Sequence, residues 1–244
     1  RSEAPRIGCL KLYLILCQIY GRSQMIGRDS FFNLLRRYHL MLKPLQSHST
    51  TNSNHRFHKY KNLVKELIVN AINQLWVSDI TYISLREGVC YLHLVTDAYS
   101  HKIIGWILAP GLHSTYTIQA LKMAIAGSGK DDLTGLIHHS DRGIQYCCDA
   151  YVECLKEHHI SISMTEDSRP TDNAVAERVN GIIKNEWLYH MDKFTCIEEA
   201  REEIGRIIRF YNERRPHMSN NMLTPSEAHD MSGELKRRWK EKIY

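Results

Sequence analysis

The chain has 244 residues, of which 43% are apolar and 24% charged, with 13 glycines and 6 prolines. This composition is close to the globular average and excludes collagen-like, low-complexity and fully disordered chains. The 32 Lys and Arg exceed the 27 Asp and Glu by five, and the first 73 residues hold 12 basic against 3 acidic side chains. A basic amino-terminal segment fits binding to a polyanion and also fits an ordinary solvated lysine face.

Sequence features also bear on the compartment of the chain. No run of 18 or more apolar residues occurs, so a membrane span is excluded and, without an export signal, we expect a cytoplasmic protein. The seven cysteines are odd in number and irregularly spaced, which favours reduced thiols and argues against a disulfide framework or a structural zinc site. Because residue 1 is Arg, we expect further chain, with a possible DNA-binding segment, upstream of it.

The amino-terminal region is predicted to hold two short helices. Apolar residues recur at helical spacing over Cys9–Tyr20, and Asp29 is a candidate N-cap for a second helix that exposes Arg36 and Arg37. The pair fits a helix-turn-helix DNA-binding unit over residues 1–45, and an ordinary helical hairpin fits as well. Residues 46–73 begin with a polar, basic stretch that we interpret as a linker.

A catalytic-type core is predicted over residues 74–230, followed by a basic tail over 231–244. Three β-branched runs, 76–85, 91–96 and 102–108, predict an antiparallel meander. Helices are expected over 114–126, 145–158, 172–187 and 197–212, with strands at 135–140 and 160–164. This order predicts an α/β fold with a five-stranded mixed sheet flanked by helices.

Three acidic residues stand out on these elements. Asp79 lies inside the first strand on the same face as Val77 and Ile83, where burial of an unpaired charge costs several kcal/mol or more. Asp141 ends the fourth strand, and Glu177 lies on the helix after it. Each acid also has a purely structural explanation. Asp79 could be salt-bridged, Asp141 could cap a helix or turn, and Glu177 could lie on a solvated helix face. The Glu177 helix carries a polar stripe composed of Asn173, Glu177, Asn180 and Lys184.

Together these carboxylates favour a divalent-metal site. They would converge if the helix packs beside the sheet, and an oxygen-only ligand set favours Mg²⁺, or Mn²⁺, over Zn²⁺. Two such ions could hold the attacking and leaving oxygens of a phosphodiester. The sequence therefore indicates phosphodiester chemistry.

The motifs resemble those of the DDE-type transposases of bacterial insertion sequences, which share the retroviral-integrase catalytic core. The resemblance is carried by Trp76–Tyr82, by His139–Gly143, and by Asp172–Glu177, with thirty-five residues between Asp141 and Glu177. Two carboxyl-terminal motifs, Tyr211–His217 and Leu223–Ala228, match that family's pattern as well. The resemblance covers nearly all of residues 5–230.

The resemblance implies a ribonuclease-H-like core in which Asp79, Asp141 and Glu177 bind the metal ions. It implies that Lys184, seven residues after Glu177, contacts DNA near the scissile phosphate. We expect Asn173, Asn180, Arg36 and Arg37 to contribute further DNA contacts. The expected activity is metal-dependent DNA cleavage and strand transfer by a homo-oligomer assembled on element ends and target DNA in the bacterial nucleoid.

Other functions are disfavoured or remain open. The Gly127–Asp131 segment lacks the first glycine and the Ser or Thr of a phosphate-binding loop, so we expect no nucleotide cofactor. A Gly-x-Ser-x-Gly element is absent around Ser140, which argues against an acyl-transfer hydrolase. A catalytically silent DNA-binding protein and a structure-selective nuclease on the same fold are the two alternatives.

Overall fold

The computed structural model describes residues 3–42, 58–166 and 173–235. The amino-terminal helices are α1 (Cys9–Tyr20) and α2 (Arg28–Arg37), and the sheet strands are β1 (Leu75–Ser84), β2 (Val89–Asp97), β3 (Ile103–Ala109), β4 (Ile137–Ser140) and β5 (Ser161–Met164). The remaining helices are α3 (Ser114–Ser128), α4 (Ile144–Cys147), α5 (Asp149–Glu157), α6 (Ala174–Glu186), α7 (Ile197–Glu213) and α8 (Pro225–His229). Among the described residues, no helix is long and apolar enough to cross a membrane.

The five strands form one mixed sheet in the order β3-β2-β1-β4-β5. The first three strands pair antiparallel, as their β-branched runs predict, and β4 and β5 add in parallel through helical crossovers. Strand β4 pairs with β1 only from Leu75 to Val77. The rest of β1 therefore extends past β4, which leaves room for side chains at the carboxyl end of β4.

Two apolar cores cover the two faces of this sheet. On one face, Ile83 of β1 and Leu92 of β2 pack against Val179 of α6 and Ile204 of α7. On the other face, Trp76 packs with buried side chains of α3, α5 and β5. Alternate residues of β1 thus enter different cores, which confirms the predicted α/β fold with a five-stranded mixed sheet flanked by helices.

The two amino-terminal helices pack through a small aromatic cluster. The rings of Tyr13 and Phe31 lie 5.5 Å apart, Leu35 is buried beside them, and the Tyr13 hydroxyl donates to the backbone oxygen of Ile26 at 3.0 Å. The prediction that Asp29 is the N-cap of α2 is wrong. Gly27 occupies that position, and Asp29 lies in the first turn, where its charge still favours the helix dipole.

One predicted helix is interrupted. The expected helix over residues 145–158 is two helices, α4 and α5, because Cys148 adopts an extended conformation at φ −70° and ψ 148°. Cys148 is the N-cap of α5, and its backbone oxygen accepts from the N–H groups of Tyr151 and Val152. The two adjacent cysteines are therefore not on one continuous helix.

The segment that precedes β1 lies along the sheet edge. The N–H of Leu63 donates to the Ser163 hydroxyl at 2.9 Å, and the N–H of Met164 donates to the Lys61 oxygen at 3.4 Å. Lys61 and Leu63 thus contact β5. The stretch 46–57, which carries most of the polar linker prediction, and the tail from 236 onward lie outside the described residues.

Candidate metal and nucleic-acid site

Asp79 is held on β1 by two hydrogen bonds. Its Oδ2 accepts from the Asn180 amide of α6 at 2.7 Å, and its Oδ1 accepts from the backbone N–H of Ile80 at 2.9 Å. Burial raises the pKa of Asp79 to about 7, and the negative charges of Asp141 and Glu177 contribute further to this rise. The carboxylate is therefore oriented, and its ionised form is destabilised when no cation is bound near it.

Asp141 follows the last residue of β4, at the carboxyl edge of the sheet. Its Oδ1 accepts from the N–H of Gly143 at 2.9 Å. A Cβ added at Gly143 would lie 2.9 Å from the same oxygen, so a side chain there would displace the carboxylate. Glycine at this position lets the turn close tightly around Asp141.

Glu177 is exposed in the first turn of α6, and its N–H donates to the Asn173 backbone oxygen at 3.1 Å. The pKa of Glu177 is raised by partial burial and by the charge of Asp141. The mutual effects on pKa indicate that the three predicted acids are electrostatic neighbours. Within the described ranges, however, no three His, Cys, Asp or Glu side chains are close enough to share a metal ion.

The chemistry of the donor set fits a hard divalent cation. The three side chains offer carboxylate oxygens, the ligands that Mg²⁺ and Mn²⁺ prefer, and they repel one another without a cation. Asp79 already has a fixed orientation. Glu177 is exposed, so water and ions can reach its carboxylate.

Asn173 and Asn180 are buried, at 6% exposure each, and fasten α6 to β1. Asn173 precedes the first turn of α6 and donates to the backbone oxygen of Ser78 at 3.1 Å. The helix thus begins at Ala174, about two residues after the predicted start near Asp172, which itself lies outside the described residues. Both amides hydrogen-bond to β1, one to the Ser78 backbone and one to Asp79. The predicted contact of these two asparagines with DNA stays a prediction.

Lys184 lies two turns after Glu177 on α6. Its ammonium nitrogen is 4.1 Å from the ring centroid of Tyr82, so the described structure places it on an aromatic ring. Partial burial lowers the pKa of Lys184, and the charge of Asp79 opposes this effect.

Arg36 and Arg37 are both exposed in the last turn of α2, on the amino-terminal helical pair. Arg36 donates to the Asn33 side chain at 2.7 Å. The structure does not bring these arginines into the acidic group. Their side chains remain available to a polyanion at a separate surface.

Sequence reasoning missed a buried polar network under the site. The ring Nε2 of His138 lies 2.7 Å from the Ser78 hydroxyl and 2.9 Å from that of Tyr151. Burial lowers the pKa of His138 to about 3, so the ring is neutral. Because side chains alternate along β1, Ser78 lies on the face opposite Asp79. This alternation was the sequence signal that the Ser78 hydroxyl is buried and needs a hydrogen-bond partner, which His138 of β4 provides.

Two protein-family models match the part of the chain that forms the sheet and its flanking helices. Each is described as an integrase core domain, and they match residues 69–170 and 158–225. The matched segments include β1 to β5, α6 and α7, and so contain the three acidic residues.

Two curated relatives are insertion-sequence proteins. The chain is 34% identical over 205 residues to the insertion element IS600 uncharacterized 31 kDa protein of Shigella sonnei, over 83% of this chain and 74% of that protein. It is 35% identical over 160 residues to a putative transposase for insertion sequence element IS986/IS6110 of Mycobacterium tuberculosis, over 64% of this chain. The chain spans only 58% of the length of that mycobacterial relative.

A solved structure shares the fold. The HTLV-2 integrase catalytic core domain, determined in complex with magnesium in a dimeric form, superposes with a TM-score of 0.50 at 21% identity. The match covers 65% of this chain and 97% of the viral domain. At this identity the likeness supports the ribonuclease-H-like architecture of the sheet and its helices.

Proposed function

Because this chain belongs to the DDE-type insertion-sequence transposases with an integrase core domain, we propose that it cleaves DNA strands and transfers them with Asp79, Asp141 and Glu177 as metal ligands. The observation that supports the proposal is electrostatic: the charges of Asp141, at the end of β4, and Glu177, on α6, raise the pKa of Asp79 on β1, and Asp141 also raises the pKa of Glu177. Mg²⁺ is the proposed cofactor, and Mn²⁺ could replace it.

The protein's own groups orient the acids in this proposal. Asn180 and the Ile80 N–H fix the Asp79 carboxylate, and the Gly143 N–H fixes Asp141. Bound divalent ions supply Lewis acidity toward the attacking and leaving oxygens of a phosphodiester. Lys184 adds a positive charge beside Asp79, where it can hold a phosphate of the same strand.

The amino-terminal helices are proposed to supply much of the DNA affinity. Arg36 and Arg37 project from α2, and the first 73 residues carry 12 basic side chains. Each phosphate contact that is lost should reduce the slope of log affinity against log salt concentration by about 1. The double variant Arg36→Ala and Arg37→Ala should therefore bind DNA more weakly and lower the slope by about 2, and an unchanged slope would contradict this role.

Assembly and cellular site follow from the same proposal. We place the protein on nucleoid DNA in the bacterial cytoplasm, as a homo-oligomer that holds element ends and target DNA. The dimeric form of the HTLV-2 domain supports an oligomer by analogy of fold. Sedimentation of the chain with and without DNA ends tests the assembly.

The two alternatives make different predictions. A silent DNA-binding scaffold has no physical reason to hold three carboxylates that repel one another. A nuclease on this fold would cut DNA without joining it. The discriminating experiment incubates the chain with labelled DNA from the ends of the element, a supercoiled plasmid and Mg²⁺. Transposase activity gives labelled plasmid, whereas a nuclease gives only shortened label and a scaffold gives neither.

A further inference from the structure

Tyr82 is an exposed aromatic residue on the face of β1 opposite Asp79, and Lys184 of α6 lies over its ring and feels the charge of Asp79. It lies near the end of β1, three residues after Asp79, and 51% of its surface is exposed although its neighbour Ile83 is buried at 3%. At about 3.3 Å per residue, Tyr82 is about 10 Å along the strand from Asp79. A half-exposed tyrosine at this position contributes little to either core.

The ring belongs to a two-step connection between β1 and α6. Asn180 donates to Asp79 at the first step, and Lys184, one turn later on α6, sits 4.1 Å from the Tyr82 ring centroid at the second. A cation over one face of a tyrosine ring is attracted to it by about 0.5–1 kcal/mol at an exposed site, which restricts the side chain. The ring is therefore held in place while much of its surface stays open.

An open, oriented aromatic ring next to a phosphate-handling group suits a nucleobase. Each base presents a π-face, but in a paired duplex these faces are covered by neighbouring base pairs, so stacking on protein requires an unpaired base. Along β1 the backbone positions of Tyr82 and Asp79 are about 10 Å apart, the length of about three stacked nucleotides at 3.4 Å each. Lys184, between the two, is placed for a phosphate of the same segment.

We propose that Tyr82 is a stacking platform for an unpaired base of the DNA strand, located within about three nucleotides of the phosphate that reacts at Asp79. Lys184 covers one face of the ring and contacts the backbone of that nucleotide segment. This inference rests on the proposed function, because it assigns the DNA end, as a locally unpaired strand, to the acidic site. It predicts that the protein prefers frayed ends to fully paired ones.

The test compares two DNA probes at equilibrium without divalent metal. One is a fluorescein-labelled 20-base-pair duplex of mixed sequence, and the other is the same duplex with its last three pairs mismatched to give a fork. Wild type should bind the forked probe more tightly. Tyr82→Ala and Tyr82→Leu should lose about 5-fold to 150-fold in affinity for the fork, the value of one stacked base, and little for the paired duplex.

Matched variants separate stacking from other effects. Tyr82→Phe keeps the ring and its contact with Lys184, so it should bind the fork like wild type. Tyr189→Ala removes a tyrosine of similar exposure, 60%, beyond the far end of α6 and should leave fork binding unchanged. A 2-aminopurine placed in the fork should lose fluorescence on binding to wild type and to Tyr82→Phe, and keep it with Tyr82→Leu.

The outcomes distinguish the inference from the proposed function. Equal affinity of wild type and Tyr82→Leu for the fork, or no preference of wild type for the fork, overturns the stacking platform. If the plasmid-joining assay shows strand transfer while Tyr82→Leu binds normally, the inference alone fails. A Tyr82-dependent fork preference without any cleavage or joining keeps the platform and refutes the transposase chemistry.

Discussion

Glu186 is the centre of a buried ionic cluster whose disruption should destabilise the whole fold. It lies at the end of α6 and accepts two hydrogen bonds from Arg215, each 2.7 Å long, and a third contact of 3.3 Å from Lys11 of α1. The Arg215 side chain is 2% exposed, and those of Lys11 and Glu186 are 15% and 14% exposed. The cluster therefore ties the amino-terminal helix and the chain after α7 to the helix that carries Glu177.

The substitution Glu186→Gln keeps the shape of the side chain and removes its charge. Arg215 and Lys11 would then face each other as buried cations without this carboxylate between them. Loss of one partner of a buried ion pair costs about 3–5 kcal/mol, because the remaining charge stays buried. The matched control is Glu203→Gln, whose partner Arg206 is 73% exposed, so that its loss should cost less than about 1 kcal/mol.

Urea denaturation at pH 7 measures both variants. We expect the free energy of unfolding to fall by about 3–5 kcal/mol for Glu186→Gln, and a loss below about 1 kcal/mol, equal to the control, would refute the reasoning. The pH dependence adds a second readout. Arg215 and Lys11 lower the pKa of Glu186 against the effect of burial, so its contribution is present above the ordinary pKa and is lost as the pH falls through the folded-state pKa.

Lys11 affects the pH dependence of the free energy of unfolding at alkaline pH. Burial first, and the charge of Arg215 next, lower its pKa from 10.5 to about 8 in the folded protein. The unfolded chain therefore binds more protons between pH 8 and 10.5, and the contribution of Lys11 to stability rises with pH in that window. In Glu186→Gln, the part of the fall in unfolding free energy at low pH that is due to Glu186 should disappear.

Three further predictions concern packing and DNA contact. Gly105→Ala on β3 should destabilise by about 3 kcal/mol in denaturant titration, because a Cβ there would lie 2.1 Å from the Ala120 backbone oxygen of α3. The control Gly127→Ala, on α3 itself, meets nothing closer than 3.9 Å and should not destabilise. Tyr146→Phe should stabilise by about 1 kcal/mol, since its buried hydroxyl has no hydrogen-bond partner among the described residues; a lower unfolding midpoint would contradict this. Lys184→Ala should cost less than about 1 kcal/mol of stability yet reduce strand joining and photocrosslinking to the scissile end, and normal joining would remove its assigned role.

The features that could be predicted from the sequence are those encoded locally. Alternation of β-branched residues marks β1 to β3, and apolar residues at helical spacing mark α7 from Ile197. Asp79 was identifiable because a carboxylate on the apolar face of a strand needs a partner. Its neighbours could be identified from spacing and from resemblance to a family, but not from local pattern alone.

The features that could not be predicted depend on tertiary contact. Cys148 breaks a helix without a Gly or Pro signal, since only packing selects its extended backbone. Lys11 and Glu186 are 175 residues apart, and Lys184 meets Tyr82 only because α6 packs beside β1. The caps were equally ambiguous, because Gly27 and Asp29 are both acceptable at the start of α2 and the geometry of the preceding loop decides.

Charge removal at the three acids tests the central claim most directly. Asp79→Asn, Asp141→Asn and Glu177→Gln are compared with Glu153→Gln, an exposed acid on α5, in Mg²⁺-dependent cleavage and joining of labelled element-end DNA. We predict that each of the first three abolishes both steps while the melting temperature and DNA affinity stay close to those of wild type, and that Glu153→Gln remains active. Near-normal cleavage by any one of the three would show that its carboxylate is not a ligand.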